Sequence, residues 1–433
     1  MSRKNILFSG FMLFSLFFGA GNLIFPPYLG MESGSNFIAA IAGFILTAVL
    51  LPFLSIISVS LSDKGLLSIG QRVHPVFGIV FAIVIYMSIG AFYGIPRAAN
   101  VAYELGVMQV YNVEGRLPLF IFSLVFFGIT YLISMNPKKI IDYVGQLLTP
   151  ALLIVLTILF VRAFSTLQYT DVPATEKFQS APFLKGFLEG YFTMDAVAAL
   201  AFGIVIINGL KDKGATKKRD LIRGTIGAGL IAAVGLTIVY ISLSWIGRVL
   251  PYEEPLENGA EILVLASEQL FNYGGNMLFG LIVIFACLTT CIGLINACAR
   301  FFNDIYPKFS YQTYVAIFIV IGMLFTNFGL DIILQVATPI LVFIYPISIV
   351  LVILSLFQHF LGESRKMYVL AVSVATVFAS YEVLGTFDIQ FDGLYSILTI
   401  LPLFENGLGW TVPTLMAAVI GYVLDFKSRS LYS

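Results

Sequence analysis

The chain has 433 residues, 59% of them hydrophobic and 11% charged, with a mean hydropathy of +0.96, whereas a soluble globular chain carries roughly 25% charged residues. Apolar stretches of about the 20 residues that a bilayer core demands recur from end to end, which excludes a soluble domain with one anchor. The 24 Lys and Arg balance 24 Asp and Glu, and no basic run is interleaved with aromatics, so nucleic acid is excluded as a partner.

Twelve membrane helices are expected: residues 5–30, 37–60, 77–98, 117–134, 140–163, 183–210, 222–248, 276–301, 312–329, 332–357, 366–388 and 408–425. An even count puts both termini on one side, and the positive-inside rule makes that side cytoplasmic. Of the 24 Lys and Arg, 18 fall in the inner segments, among them Arg3, Lys4, Lys64, Lys138, Lys139, Lys211, Lys217, Lys218, Arg219 and Arg223. The outer segments keep Arg97, Arg116, Arg162, Lys177, Lys185 and Arg248, and one outer connector gathers Glu253, Glu254, Glu257, Glu261 and Glu268.

The first helix imitates a signal peptide through Arg3 and Lys4, but its apolar run continues from Ile6 to about Leu29 and contains Pro26-Pro27, which reads as a spanning helix. Halfway along stands Gly19-Ala20-Gly21-Asn22, followed by the two prolines, which remove backbone donors. Unwinding is expected around residues 18 to 22; the alternative is that Gly19 and Gly21 permit close helix packing. The sixth helix carries Glu189-Gly190-Tyr191-Phe192-Thr193-Met194-Asp195-Ala196, and an acid such as Asp195 is costly inside a span without a partner. The eighth helix contains Ala286-Cys287-Leu288-Thr289-Thr290. There the Ala286 carbonyl and two hydroxyls offer hard oxygens to a dehydrated monovalent cation, although such hydroxyls also bond back to carbonyls one turn earlier. Cys287, Cys291 and Cys298 share this helix and read as small packing residues. Glu189 and Glu382, in helix eleven, read as solvated cavity residues or parts of a proton route.

Helices one and six open two five-helix blocks, and the odd number of spans between them inverts the second block relative to the first. The expected fold is therefore an all-α membrane protein forming one domain. Residues 1–163 make one repeat, 183–357 its inverted partner with helices 1 and 6 discontinuous, and 366–425 two additional helices. In such repeats the substrate lies near the midplane, where broken helices expose amides and carbonyls of opposite partial charge. Amides around Gly19, Ala20 and Gly21 suit a carboxylate, and carbonyls around Phe17, Phe192 and Thr193 suit an ammonium. A channel would need a continuous ring of ligands. An enzyme would need a nucleophile, base or metal cluster, yet His74 and His359 sit in separate loops, so neither class is supported.

Through Phe18-Gly19-Ala20-Gly21-Asn22-Leu23-Ile24-Phe25-Pro26-Pro27 and Gly190-Tyr191-Phe192-Thr193-Met194-Asp195-Ala196, the chain resembles the bacterial branched-chain amino acid:cation symporters over essentially its whole length. The resemblance implies uptake of leucine, isoleucine and valine across the cytoplasmic membrane by cation symport, with sodium favoured over protons and no other cofactor. It also implies the five-plus-five fold of sodium-coupled amino acid transporters, with helices one, three, six and eight around the substrate. Carried over by motif, a sodium ion would be held by backbone oxygens near Ser15 and Phe18 with Ala286, Thr289 and Thr290. A second sodium site of the wider fold uses an Asn on helix one, a Thr on helix six and an amide on helix seven. Asn22 and Thr193 fit, but residues 224–248 contain no Asn, Gln, Asp or Glu, so a single coupling cation is expected, with Asp195 a further candidate for a cation or proton. The apolar wall is expected from Ile89, Phe92, Tyr93, Phe192, Met194, Ala198 and Leu294. Tyr86 and Tyr93 share a face from which either reaches a carboxylate, and Arg97 and Glu104 read as a gate or a structural ion pair.

Overall fold

A computed structural model describes residues 2–62, 65–111, 113, 115–136, 139, 141–168, 172–251, 256, 259–271, 274–362, 364–387, 389 and 391–430. Lys64, Lys138, Glu253, Glu254 and Glu257 lie outside the described residues, as do the side chains of Ala20 and His359. Among the described residues every regular element is helical, as a bilayer solvent requires unless a closed barrel forms.

The first half comprises α1 (Arg3–Phe17), α2 (Ala20–Ser33), α3 (Phe37–Ile45), α4 (Leu51–Leu61), α5 (Pro75–Ile85), α6 (Gly94–Tyr103), α7 (Arg116–Ser134) and α8 (Thr149–Thr166). The second half comprises α9 (Pro182–Tyr191), α10 (Asp195–Asp212), α11 (Lys218–Val249), α12 (Gly259–Phe271), α13 (Gly275–Ile305), α14 (Tyr311–Thr326), α15 (Leu330–Leu361), α16 (Arg365–Gly385) and α17 (Thr411–Ser430). Wider π turns join α3 to α4 at Leu46–Leu50, precede α6 at Tyr86–Phe92 and precede α8 at Ile141–Leu148.

Eight helical stretches among the described residues are long and apolar enough to cross a membrane, nine if the bent pair α9 and α10 is one span. One of them, Gly21–Leu61, has 41 residues, about 62 Å if straight and twice a bilayer core. Gly34, at φ 44°, interrupts it, so that stretch is long enough for two crossings.

Close crossings at glycine hold the bundle together. A Cβ on Gly30 would sit 1.7 Å from the Ser244 carbonyl oxygen, and one on Gly247 would sit 1.9 Å from that of Pro27, so α2 and α11 touch backbone to backbone. Gly43 and Gly186 do the same for α3 and α9, with Cβ positions 2.0 Å from the Phe183 oxygen and 1.9 Å from the Ala40 oxygen. Packing, not hydrophobic exclusion, drives helix association in lipid, so small residues mark the tightest contacts. The cysteines behave as expected: all three are free and buried. Cys291 and Cys298 point their Sγ at the Ile95 and Tyr86 carbonyls and seat α13 against the third span.

The two ends of the bundle are tied separately. At one end Asn5 reaches the Lys213 carbonyl, and Lys213 pairs with Asp142 at 2.7 Å. At the other, Lys177 bridges Glu32 at 3.1 Å and Glu189 at 2.7 Å, joining α2 to α9. Glu189 is thus the partner of a surface lysine at one rim.

Candidate functional site

The site begins where three spans lose their helical backbone. In the first, α1 ends at Phe17, Phe18 turns to ψ 83°, Gly19 is extended, and α2 restarts at Ala20. The interruption covers 18–19 rather than the expected 18 to 22, and a side chain explains why. Asn22 donates Nδ2 to the Phe17 carbonyl at 2.7 Å, replacing a backbone donor at the end of α1, so the chain recovers helix within one turn. Pro26 and Pro27 remain inside α2: their φ is helical, and the cost falls on the Asn22 and Leu23 carbonyls, which lose their partners.

In the sixth span, Met194 takes the left-handed conformation at φ 65° between α9 and α10, and the two helices are bent by 42°. Thr193 turns its hydroxyl to the Gly190 carbonyl at 2.8 Å, and Asp195 becomes the first residue of α10. A third break was not foreseen. After the π turn, Tyr93 leaves helical geometry at φ −134°, ψ −66° before α6 resumes. Pro96 supplies the reason, since it has no N–H to give the carbonyl four residues back. The Gly94-Ile95-Pro96 triplet was the readable signal.

The breaks surround a small cavity of about 80 Å³. Of the expected residues it is lined by Phe17, Gly19, Gly21, Asn22, Ile89, Tyr93, Thr193, Met194, Asp195, Ala198 and Leu294. Leu16, Gly94, Arg97, Ala98, Phe202 and Thr290 join them. Two wall residues are corrected. Phe192 is 45% exposed and outside the cavity, at the right-handed C-cap of α9. Phe92 is turned outward onto Phe325, ring centroids 5.1 Å apart, by the break at Tyr93. Of the two tyrosines, Tyr93 faces the cavity, whereas Tyr86 stacks on Phe301 and borders a separate space.

Among the described residues, only Arg97 and Asp195 bring charge to this cavity. Asp195 is buried, and its Oδ2 accepts from Asn22 Nδ2 at 2.9 Å and from the Tyr240 hydroxyl at 3.1 Å. Asn22 Nδ2 also lies 2.6 Å from the Tyr240 oxygen, and its two protons serve two of its three acceptors at a time. One polar knot thereby joins α2, α10 and α11 and gives the buried carboxyl the donors that burial demands. Tyr240 is neither an amide nor an acid, the groups expected of a helix-seven ligand. A phenol amid the apolar residues 238–241, one that needs a partner when buried, was the available signal. Arg97, read beforehand with Glu104, instead lines the cavity and donates Nη1 to the Tyr93 hydroxyl.

Beside the cavity, α13 meets the end of α1. Thr289 Oγ1 lies 2.9 Å from the Ser15 carbonyl and 3.0 Å from those of Phe285 and Ala286. Thr290 Oγ1 lies 3.1 Å from the Leu16 carbonyl and 2.9 Å from where a Cβ on Gly19 would sit. One hydroxyl proton serves one of three carbonyls at a time, leaving an oxygen-rich, uncharged cluster of the kind that suits a dehydrated monovalent cation. Of the expected set, Ser15, Ala286 and Thr289 meet here, Thr290 adjoins them, and Phe18 carries the chain break alongside.

A family model described as branched-chain amino acid transport protein matches residues 2–428. The branched-chain amino acid permease BraB of Bacillus subtilis is 41% identical over 97% of this chain and 95% of its own. The permease BrnQ of the same organism is 40% identical over 99% of both. The branched-chain amino acid transport system 2 carrier protein of Pseudomonas aeruginosa is 36% identical over 97% and 96%. Among solved structures, the nucleobase-cation-symport-1 family transporter Mhp1, closed with bromovinylhydantoin bound, superposes with a TM-score of 0.59 at 13% identity, covering 98% of this chain and 93% of that one. A manganese transporter of Eremococcus coleocola gives 0.62 at 12% identity, covering 97% and 95%. These two likenesses are of fold.

Proposed function

The chain belongs to the branched-chain amino acid transport protein family, and from that membership we propose that it is a secondary active transporter importing leucine, isoleucine and valine with sodium by alternating access. It is a carrier, not an enzyme. The observation that carries the reading is the pairing of one cavity with two opposite charges and an apolar remainder. Arg97 and the first amides of α2 suit a carboxylate, Asp195 suits an ammonium, and Ile89, Met194, Ala198, Phe202 and Leu294 suit a branched side chain.

The oxygen cluster at Thr289 adjoins that cavity through Thr290 and Gly19. Sodium bound there would draw α1 to α13, so each ligand stabilises the geometry the other needs, which is the condition for coupling. The proposed topology is twelve spans with both termini cytoplasmic, in two inverted five-helix repeats with spans one and six discontinuous, plus two added helices. Breaks in the first and sixth spans support it, because those positions correspond in such repeats. Proton coupling through Asp195 is the second reading, favoured by that acid's burial with Asn22 and Tyr240.

Leucine uptake into proteoliposomes under an imposed sodium gradient, and separately under a proton gradient, tests the proposal with Thr289→Ala and Asp195→Asn alongside. Sodium-driven accumulation lost in Thr289→Ala supports it. Proton-driven accumulation indifferent to sodium transfers the coupling role to Asp195, and no leucine accumulation by folded protein under either gradient refutes it.

A further inference from the structure

Among the described residues, no carboxylate lies in ion-pair contact with the cavity's cation, Arg97. Arg97 is half-buried. Among the described residues, its guanidinium donates one hydrogen bond, from Nη1 to the Tyr93 hydroxyl. Asp195 lines the same cavity, but its Oδ2 is engaged by Asn22 and Tyr240. A half-buried guanidinium without a carboxylate is costly unless a ligand supplies one.

Its placement says which ligand group that is. A Cβ on Gly21 would lie 3.5 Å from Arg97 Nη2, so the guanidinium hangs over the first turn of α2. The helix start there presents amides without helical acceptors and a positive partial charge. The break at Tyr93 is what lets α6 bring Arg97 to this point. Two cationic features face one small volume, and Asp195 stands elsewhere in the same cavity.

We propose that Arg97 receives the α-carboxylate of the substrate together with the first amides of α2, so that the carrier selects free α-amino acids and rejects their carboxyl-neutral analogues. This rests on the amino acid transport reading and adds to it a residue that sets specificity. Tyr93 is a positioning residue here: its hydroxyl occupies one guanidinium nitrogen and leaves the others for the carboxylate, whose fork matches bidentate geometry.

The test is ligand-induced thermal stabilisation of the purified full-length chain by leucine and by leucinamide, which differ only in the carboxyl group. In the unmodified protein, half-maximal stabilisation needs roughly a hundredfold less leucine than leucinamide, as for a site built to bind the missing group. Arg97→Gln raises the leucine requirement at least about tenfold and brings the two ligands within about threefold of each other. Arg97→Lys keeps the charge but loses the fork, so it weakens leucine about tenfold while still preferring it. A preference that survives intact in Arg97→Gln overturns the assignment and makes Arg97 a structural partner of Tyr93. Should Arg97→Gln fail to fold, an unaltered leucine requirement in Arg97→Lys overturns it equally. Absence of any leucine effect on the unmodified protein defeats the transport reading instead, so the two failures are distinct.

Discussion

Replacing Thr289 by valine keeps the shape of the side chain and deletes one oxygen. That oxygen lies within 3.0 Å of the Ser15, Phe285 and Ala286 carbonyls, and the residue is fully buried. In the cation-free protein the substitution strands one buried acceptor at a time, about 1–3 kcal/mol of stability. With sodium bound there, as proposed, it would remove a ligand from an uncharged oxygen shell. If that differential is also about 1–3 kcal/mol, the sodium concentration for half-maximal leucine uptake rises about 5- to 150-fold. Thr289→Ser, which restores the oxygen, returns it to within a few-fold. The assay is initial-rate leucine uptake by proteoliposomes over a range of external sodium, with the thermal midpoint measured in parallel. A lowered midpoint with unchanged sodium dependence would refute the reasoning, because the hydroxyl would then be a structural bond between α1 and α13 and nothing more.

Tyr240→Phe removes a donor to Asp195 and the acceptor used by Asn22, costing about 1.5–3 kcal/mol if the carboxyl is charged; a thermal midpoint and leucine uptake that both match the unmodified protein count against the knot. Lys177→Met cuts the tie between Glu32 and Glu189, and with the lysine side chain 42% exposed the loss is at most about 1 kcal/mol. Burial pulls the Lys177 ammonium down, but hydrogen bonds and charge from Glu189 and Glu32 outweigh it and hold it above its ordinary value of 10.5. Its contribution is therefore complete at neutral pH and is lost only as pH rises through the folded value. Thermal midpoints of Lys177→Met and the unmodified protein should differ at pH 7 and converge only as pH rises past the lysine's raised value, above its ordinary 10.5; a gap that persists there points to packing rather than charge.

Composition and periodicity were enough to make this a polytopic helical membrane protein, because a bilayer leaves the backbone few alternatives and writes its thickness into apolar runs. Local chemistry also located two of the breaks. Glycines at 19 and 21 before Pro26-Pro27, and Asp195 inside an apolar span, are costs that only an interrupted helix with polar partners absorbs. From these the sequence identified Phe17, Gly19, Gly21, Asn22, Thr193, Met194 and Asp195 as cavity residues, and Ser15, Ala286 and Thr289 as neighbours.

The tertiary structure decided everything that depends on rotation about a helix axis or on contact between distant spans. Phe192 lies inside the motif yet faces away from the cavity, because it caps α9 on that helix's exposed side. Tyr86 and Tyr93 share a nominal face until a π turn and a break separate them, one onto Phe301 and the other into the cavity. Tyr240 gains its role only because backbone contact at Gly30 and Gly247 brings α11 against α2. Arg97 turns from a rim residue into a cavity cation because Pro96 breaks the third span. Hydropathy records how deep a residue lies in the bilayer; which neighbour it meets there is a matter of packing between segments far apart in the chain, and no local pattern encodes it.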